Sequence, residues 1–142
     1  MLFRSTMTAA ILAADFSLDR KQDLATANSA ANTASVLLGN GTGTFNPATD
    51  LGTETKPVAL VAADFNGDGK PDLATATYGQ LSFYYGFPYY YSTVSLFLGG
   101  GDGSFARRQN LFITAEKPAW ITAGDFDGDG KIDLATDRKS VV

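Results

Sequence analysis

The chain has 142 residues, with no cysteine, no histidine, and fifteen acidic residues against eleven basic ones, a net charge of −4. Disulfides and thiolate metal sites are excluded, and the absence of histidine removes the usual general base and the commonest transition-metal ligand. An acidic chain without a basic stripe does not suit nucleic acid or an anionic membrane surface, and no apolar run approaches the roughly 20 residues of a membrane-spanning helix.

In chain order, the opening MLFRSTMTAAILAADF has the outline of a signal peptide, with one arginine, a short apolar run and an A-x-A-like site. Thr8 to Ala14 nevertheless aligns with Pro57 to Ala63 and with Pro118 to Gly124, each ending one residue before an aspartate. It is therefore read as a strand, and the chain as starting inside a repeat. A loop follows, AADFSLDRKQDLATA, with Asp15, Ser17, Asp19 and Asp23 at positions 1, 3, 5 and 9 and Lys21 at position 7. Asp23 to Ser29 and Ser35 to Gly39 read as short strands. In the turn from Gly39 to Gly43, Asn40-Gly41 favours a primed hairpin. Phe45 then returns the chain to the sheet, where it is expected to pack between units. Asn40-Gly41-Thr42 is formally a glycosylation sequon, but its counterpart is Gly100-Gly101-Asp102. What repeats is the turn.

The second loop, ADFNGDGKPDLATA, is the fullest form of the pattern. Asp64, Asn66, Asp68 and Asp72 occupy positions 1, 3, 5 and 9, Gly67 and Gly69 lie between them, and Lys70 offers its carbonyl at position 7. Oxygen-bearing side chains on alternate residues converge where a backbone wraps around a point, and glycine permits the positive φ that wrapping needs. Such a point suits a hard cation taking six to eight oxygens, namely Ca²⁺. Without it the crowded carboxylates repel, and no basic residue is expected in a ligand position to relieve them. An EF-hand is excluded, because position 12 is Thr75 rather than glutamate and the flanks VALVAADF and DLATATY have strand character. The third copy, AGDFDGDGKIDLATD, supplies Asp125, Asp127, Asp129 and Asp133, with Lys131 at position 7. The first loop is degenerate: Leu18 and Arg20 replace the glycines, and holding a non-glycine residue left-handed costs roughly 1–2 kcal/mol. It reads as a turn that has lost its ion, with weak Ca²⁺ binding as the other reading. Ten of the thirteen aspartates lie in these loops, and two bound Ca²⁺ would neutralise the net charge.

The middle repeat is the longer one. Asp15 and Asp64 are 49 residues apart, Asp64 and Asp125 are 61. The excess is assigned to residues 78–92, YGQLSFYYGFPYYYS, which hold all six tyrosines: Tyr78, Tyr84, Tyr85, Tyr89, Tyr90 and Tyr91. Tyrosine gives large contact area with little rotamer entropy to lose, so it suits a recognition surface for sugar or protein. The alternative is an extended hairpin lying over the exposed face of its own unit.

A second motif is linked to the first. SVLLGNGTGTF follows the first loop and SLFLGGGDGSF the second, while the third loop is followed only by Asp137-Arg-Lys-Ser-Val-Val. These paired motifs resemble FG-GAP/VCBS repeat proteins, in which each unit is a blade of a calcium-binding β-propeller, as in integrin α-subunit heads. The resemblance covers nearly the whole chain. It implies an all-β fold of four-stranded antiparallel blades in a single array over 1–142: repeat 1 at about 7–56, repeat 2 at about 57–117, and a partial repeat 3 at about 118–142. About two and a half repeats cannot close a ring of four to eight blades. The chain is therefore expected to belong to a larger parent chain or to associate with copies of itself through blade edges, since exposed edges invite pairing. The resemblance further implies an extracellular or cell-surface adhesion or recognition module with a protein or glycan ligand and Ca²⁺ as cofactor. A self-assembling structural subunit is the alternative. An enzyme is the third class, and no catalytic residue is assigned, because every strong carboxylate cluster is already committed to a cation loop.

Overall fold

The computed structural model describes residues 8–106, 109–113 and 117–137. Residues 1–7, where the leader-like outline begins, and the tail after Asp137 lie outside them. Eleven strands form three antiparallel sheets, with no helix among the described residues and no closed barrel. The first sheet is a meander of β1 (Thr8–Ala14), β2 (Asp23–Asn28), β3 (Thr33–Leu37) and β4 (Thr49–Gly52). The second contains β5 (Pro57–Ala63), β6 (Asp72–Thr77), β7 (Gln80–Tyr84), β8 (Phe87–Phe97) and β9 (Gln109–Ile113). The third is the pair β10 (Ile121–Gly124) and β11 (Asp133–Thr136).

The long strand β8 serves two purposes. Its C-terminal half lies between β6 and β9, completing a four-stranded blade β5-β6-β8-β9, while its N-terminal half pairs with β7. Short strands rich in alanine and threonine let the sheets stack closely. Phe16, Ala25 and Val36 of the first repeat meet Leu73 and Phe97 of the second to form one core. Ala74, Ala76 and Val94 on the opposite face of the second sheet meet Ile121 of the third to form another. Successive sheets thus join face to face, not through a shared ladder. The strand β6 shows the result: covered on both faces, all six of its residues are buried, whereas in β2 the equivalent of Leu73, Leu24, is only half-buried.

The turn of the first repeat differs from expectation. Gly39 bridges to Phe45, and Asn40 N donates to the Thr44 carbonyl at 3.1 Å, so three residues intervene, with Gly41 and Gly43 at φ of 80° and 83°. A primed two-residue turn needs consecutive residues of positive φ. Here Thr42 separates the two, held by its amide and hydroxyl donating to Asn40 Oδ1. Phe45 is half-buried, and its counterpart Phe105 is the one packed between sheets, edge-on to Phe16 at 5.5 Å.

Candidate metal centres

Each loop is wound by its first aspartate. In the second loop Asp64 Oδ1 accepts the amides of Gly67 and Asp68, and Oδ2 accepts that of Gly69 at 2.7 Å. Asn66 Oδ1 accepts the Asp68 amide, and Asp68 Oδ1 accepts that of Lys70. The third loop repeats the pattern with Asp125, Asp127 and Asp129 on the amides of Gly128, Asp129, Gly130 and Lys131. These amides, that of Gly69 foremost, hold the exposed Asp64 carboxyl below its ordinary pKa.

The loop conformation does not depend on glycine alone. Gly67 and Gly69 have φ of 75° and 80°, and Leu18 and Arg20 take the same left-handed region at 56° and 67°. Asp15 still accepts the amides of Asp19 and Arg20. The degenerate loop thus keeps the wrap, with Ser17 where the other loops have Asn66 and Asp127.

The position-9 aspartates are anchors. Asp72 and Asp23 are fully buried. Asp72 Oδ2 accepts the Phe65 amide at 2.9 Å, and Asp23 Oδ2 accepts the Phe16 and Ser17 amides. Their Oδ1 atoms accept Gly99 and Gly39 amides, each at 2.8 Å. Sequence reasoning missed these two glycines, although the pairing of loop and turn motifs in the first two repeats was a signal of their link.

In the third loop, Asp125, Asp127 and Asp133 each bring a carboxylate oxygen within 4.8 Å of the others. Position 5 is not part of that group. Asp129 Oδ2 instead pairs with Lys131 Nζ at 2.9 Å, and Asp19 with Lys21 Nζ at 2.8 Å. In the first and third loops a basic side chain does relieve the carboxylates: Lys21 and Lys131 reach back to position 5, holding Asp19 and Asp129 below the ordinary carboxylate pKa and raising that of Lys21.

A lone-pair count tests whether the site fits a cation. A carboxylate has about four acceptor positions. Three on Asp125, one on Asp127 and one on Asp133 are taken by amides. The rest remain for a ligand, and all are oxygens. An all-oxygen set fits a hard cation and not a soft one.

The FG-GAP-like repeat model matches residues 15–75 and 79–136, and the FG-GAP repeat model matches residues 57–97. The chain belongs to the FG-GAP repeat proteins. Among curated proteins none matches it. The second FG-GAP unit carries the tyrosine segment as a β-ribbon. Fifteen residues, 78–92, separate Thr77 from Thr93, where four, 29–32, separate the equivalent Asn28 from Thr33. In the ribbon β7 pairs with β8 from Gln80↔Tyr91 to Tyr84↔Phe87. Tyr85 at the tip is 86% exposed with φ of 49°. Tyr78 is partly exposed, with Lys117 Nζ 5.8 Å from its ring centre, and Tyr91 is half-buried. The side chains of Tyr84, Tyr89 and Tyr90 lie outside the described residues. By register Leu81 and Phe83 share one face and Phe87 lies on the other, and all three are exposed. The ribbon thus exposes an apolar side chain on each face.

Proposed function

We propose that this FG-GAP chain is a calcium-binding adhesion or recognition module that works outside the cell or at its surface, and that it binds rather than catalyses. The observation that carries the reading is the convergence of Asp125, Asp127 and Asp133 oxygens in the third loop. Asp64, Asn66 and Asp72 stand at the same positions of the second loop. Bound Ca²⁺ would supply the charge that lets these oxygens stay together, and affinity on the order of 10⁻⁴–10⁻³ M is expected, the range of extracellular modules. At a hundredfold excess over the dissociation constant, each site adds about 2.7 kcal/mol of stability. The exposed apolar ribbon of Leu81, Phe83, Tyr85 and Phe87 is the surface for a protein or glycan ligand, since exposed aromatics of this kind mark interaction sites.

Isothermal titration with CaCl₂ tests the metal reading. The wild type should bind two ions, Asp127→Ala one, and Asp127→Ala with Asn66→Ala none. Undiminished binding by the double variant would remove the assignment.

A further inference from the structure

The contact between the first and second sheets reappears, unfilled, on the outer side of the first sheet. Inside the protein, Leu60, Leu73, Phe97 and Phe105 of the second repeat meet the face of the first that carries Phe16 and Leu38. The residues at the same repeat positions of the first sheet are Ile11, Leu24, Leu37 and Phe45. Ile11 is 55% exposed and the other three are half-buried. Leu37, Phe45 and Pro47 line a shallow groove there.

The turn glycines report the same difference. A methyl group on Gly103 would meet the Leu38 side chain at 2.6 Å, and one on Gly101 would meet Leu18 and Lys70. At Gly43, the counterpart of Gly103, there is nothing within 4 Å, and at Gly41 only the Lys21 of its own repeat. The Gly103 amide also donates to the Phe16 carbonyl. So the second turn is covered by the preceding repeat, through Leu18 and Leu38, and among the described residues nothing covers the first in that way.

The complementary part lies at the far side of the chain. Phe126 holds in the third loop the position that Phe16 holds in the first. Phe16 is fully buried against Phe105, whereas Phe126 is 59% exposed.

We propose that the outer face of the first sheet receives the third loop of a second copy of this chain, with Phe126 entering against Phe45 as Phe16 enters against Phe105. The occupant follows from continuity: the acceptor repeats residue by residue a face already buried inside the molecule, and the donor repeats the loop that buries it. The interface is heterologous, so it propagates to a ring or a filament according to its rotation. This goes beyond the calcium reading and does not depend on it.

Sedimentation of the full chain tests the proposal. The wild-type mass should rise with concentration. Ile11→Lys on the acceptor and Phe126→Ala on the donor should each be monomeric alone. Mixed in equal amounts they should form a dimer and stop there, because the one intact donor and the one intact acceptor meet and only the substituted faces are left free. Circular dichroism checks folding, and Pro47→Arg on the same groove replaces Ile11→Lys should that variant unfold. A wild type that is monomeric at every concentration overturns the proposal, and so does association that survives both substitutions. Variants that are monomeric both alone and mixed indicate a symmetric contact and overturn it equally.

Discussion

The carboxylate of Asp72 accepts the amide of Gly99, 27 residues further along the chain, at 2.8 Å. Its other oxygen holds Phe65 at the start of the aspartate loop, and Asp23 joins Phe16 to Gly39 in the same way. In each of the first two repeats one buried side chain fastens the aspartate loop to the glycine turn. The two sequence motifs therefore recur together for a physical reason: each supplies half of a buried hydrogen-bonded joint.

Removing that joint should be severe. Asp72→Ala leaves the Phe65 and Gly99 amides without their acceptor in a region where Asp72 itself has no exposure. Each orphaned buried donor costs about 1–3 kcal/mol, a large share of the roughly 5–15 kcal/mol that stabilises a domain. Urea denaturation should show a midpoint far below that of the wild type. A midpoint equal to the wild type's would show that the joint contributes nothing.

Gly99 is required by space and not by a left-handed backbone. A Cβ there would lie 2.1 Å from the Pro71 carbonyl oxygen, while at Gly52 it would meet nothing within 4 Å. Overpacking of this sort costs typically 1–3 kcal/mol, and a surface change without such a clash stays within about 0.5 kcal/mol. Gly99→Ala should lower the melting temperature by several degrees and Gly52→Ala should leave it nearly unchanged. Equal melting temperatures for the two variants would contradict the close approach.

Asp102 gives a pH signature. Its carboxyl is held below the ordinary value of 3.8, chiefly by the Ser104 hydroxyl and then by the Ser104 amide. A depressed folded-state pKa contributes stability that is fully present above the unfolded value and lost as pH falls through the folded one. The stability gap between wild type and Asp102→Ala should be constant from neutral pH down to about 4 and close below it. A gap that persists unchanged into strong acid would mean that the carboxylate charge is not what the turn uses.

Much of this arrangement was legible in the residues. Asp64, Asn66 and Gly67 specify the wrap locally, through amides three to five residues away, and local hydrogen bonds can be read from spacing. The strands around the loops were legible for the same reason, as Thr8–Ala14 shows. What was not legible depends on distant parts of the chain. Asp23 and Asp72 look like further loop acids until the fold brings Gly39 and Gly99 beside them. Lys21 and Lys131 appear as carbonyl donors in the motif, and only the wound loop shows their ammonium groups meeting position 5. Leu18 looked like pure damage to a glycine position, yet it lies over Gly101 of the next repeat. Whether a strand face is covered or bare, as Leu73 and Leu24 differ, is set by neighbouring sheets and not by the strand.

The ribbon is separable from the blade. Beyond Ser92 the strand β8 is committed to the sheet, with Ser92, Thr93 and Val94 buried and paired to β9. Thr77 and Thr93 close the blade side through a 3.0 Å hydroxyl contact. From Gln80 to Tyr91 the pairing is between β7 and β8 alone, and Leu81, Phe83 and Phe87 are exposed. A two-stranded ribbon on its own is marginal in water, so little of the chain's stability resides in it. Replacing residues 79–91 by a two-residue turn, which restores the spacing of the first repeat, should therefore move the melting temperature by no more than a few degrees. The same change removes the exposed aromatic surface and should abolish binding on glycan arrays or to a protein ligand. A fall of many degrees on replacement would instead show that the ribbon is part of the fold's core, and the recognition reading would go with it.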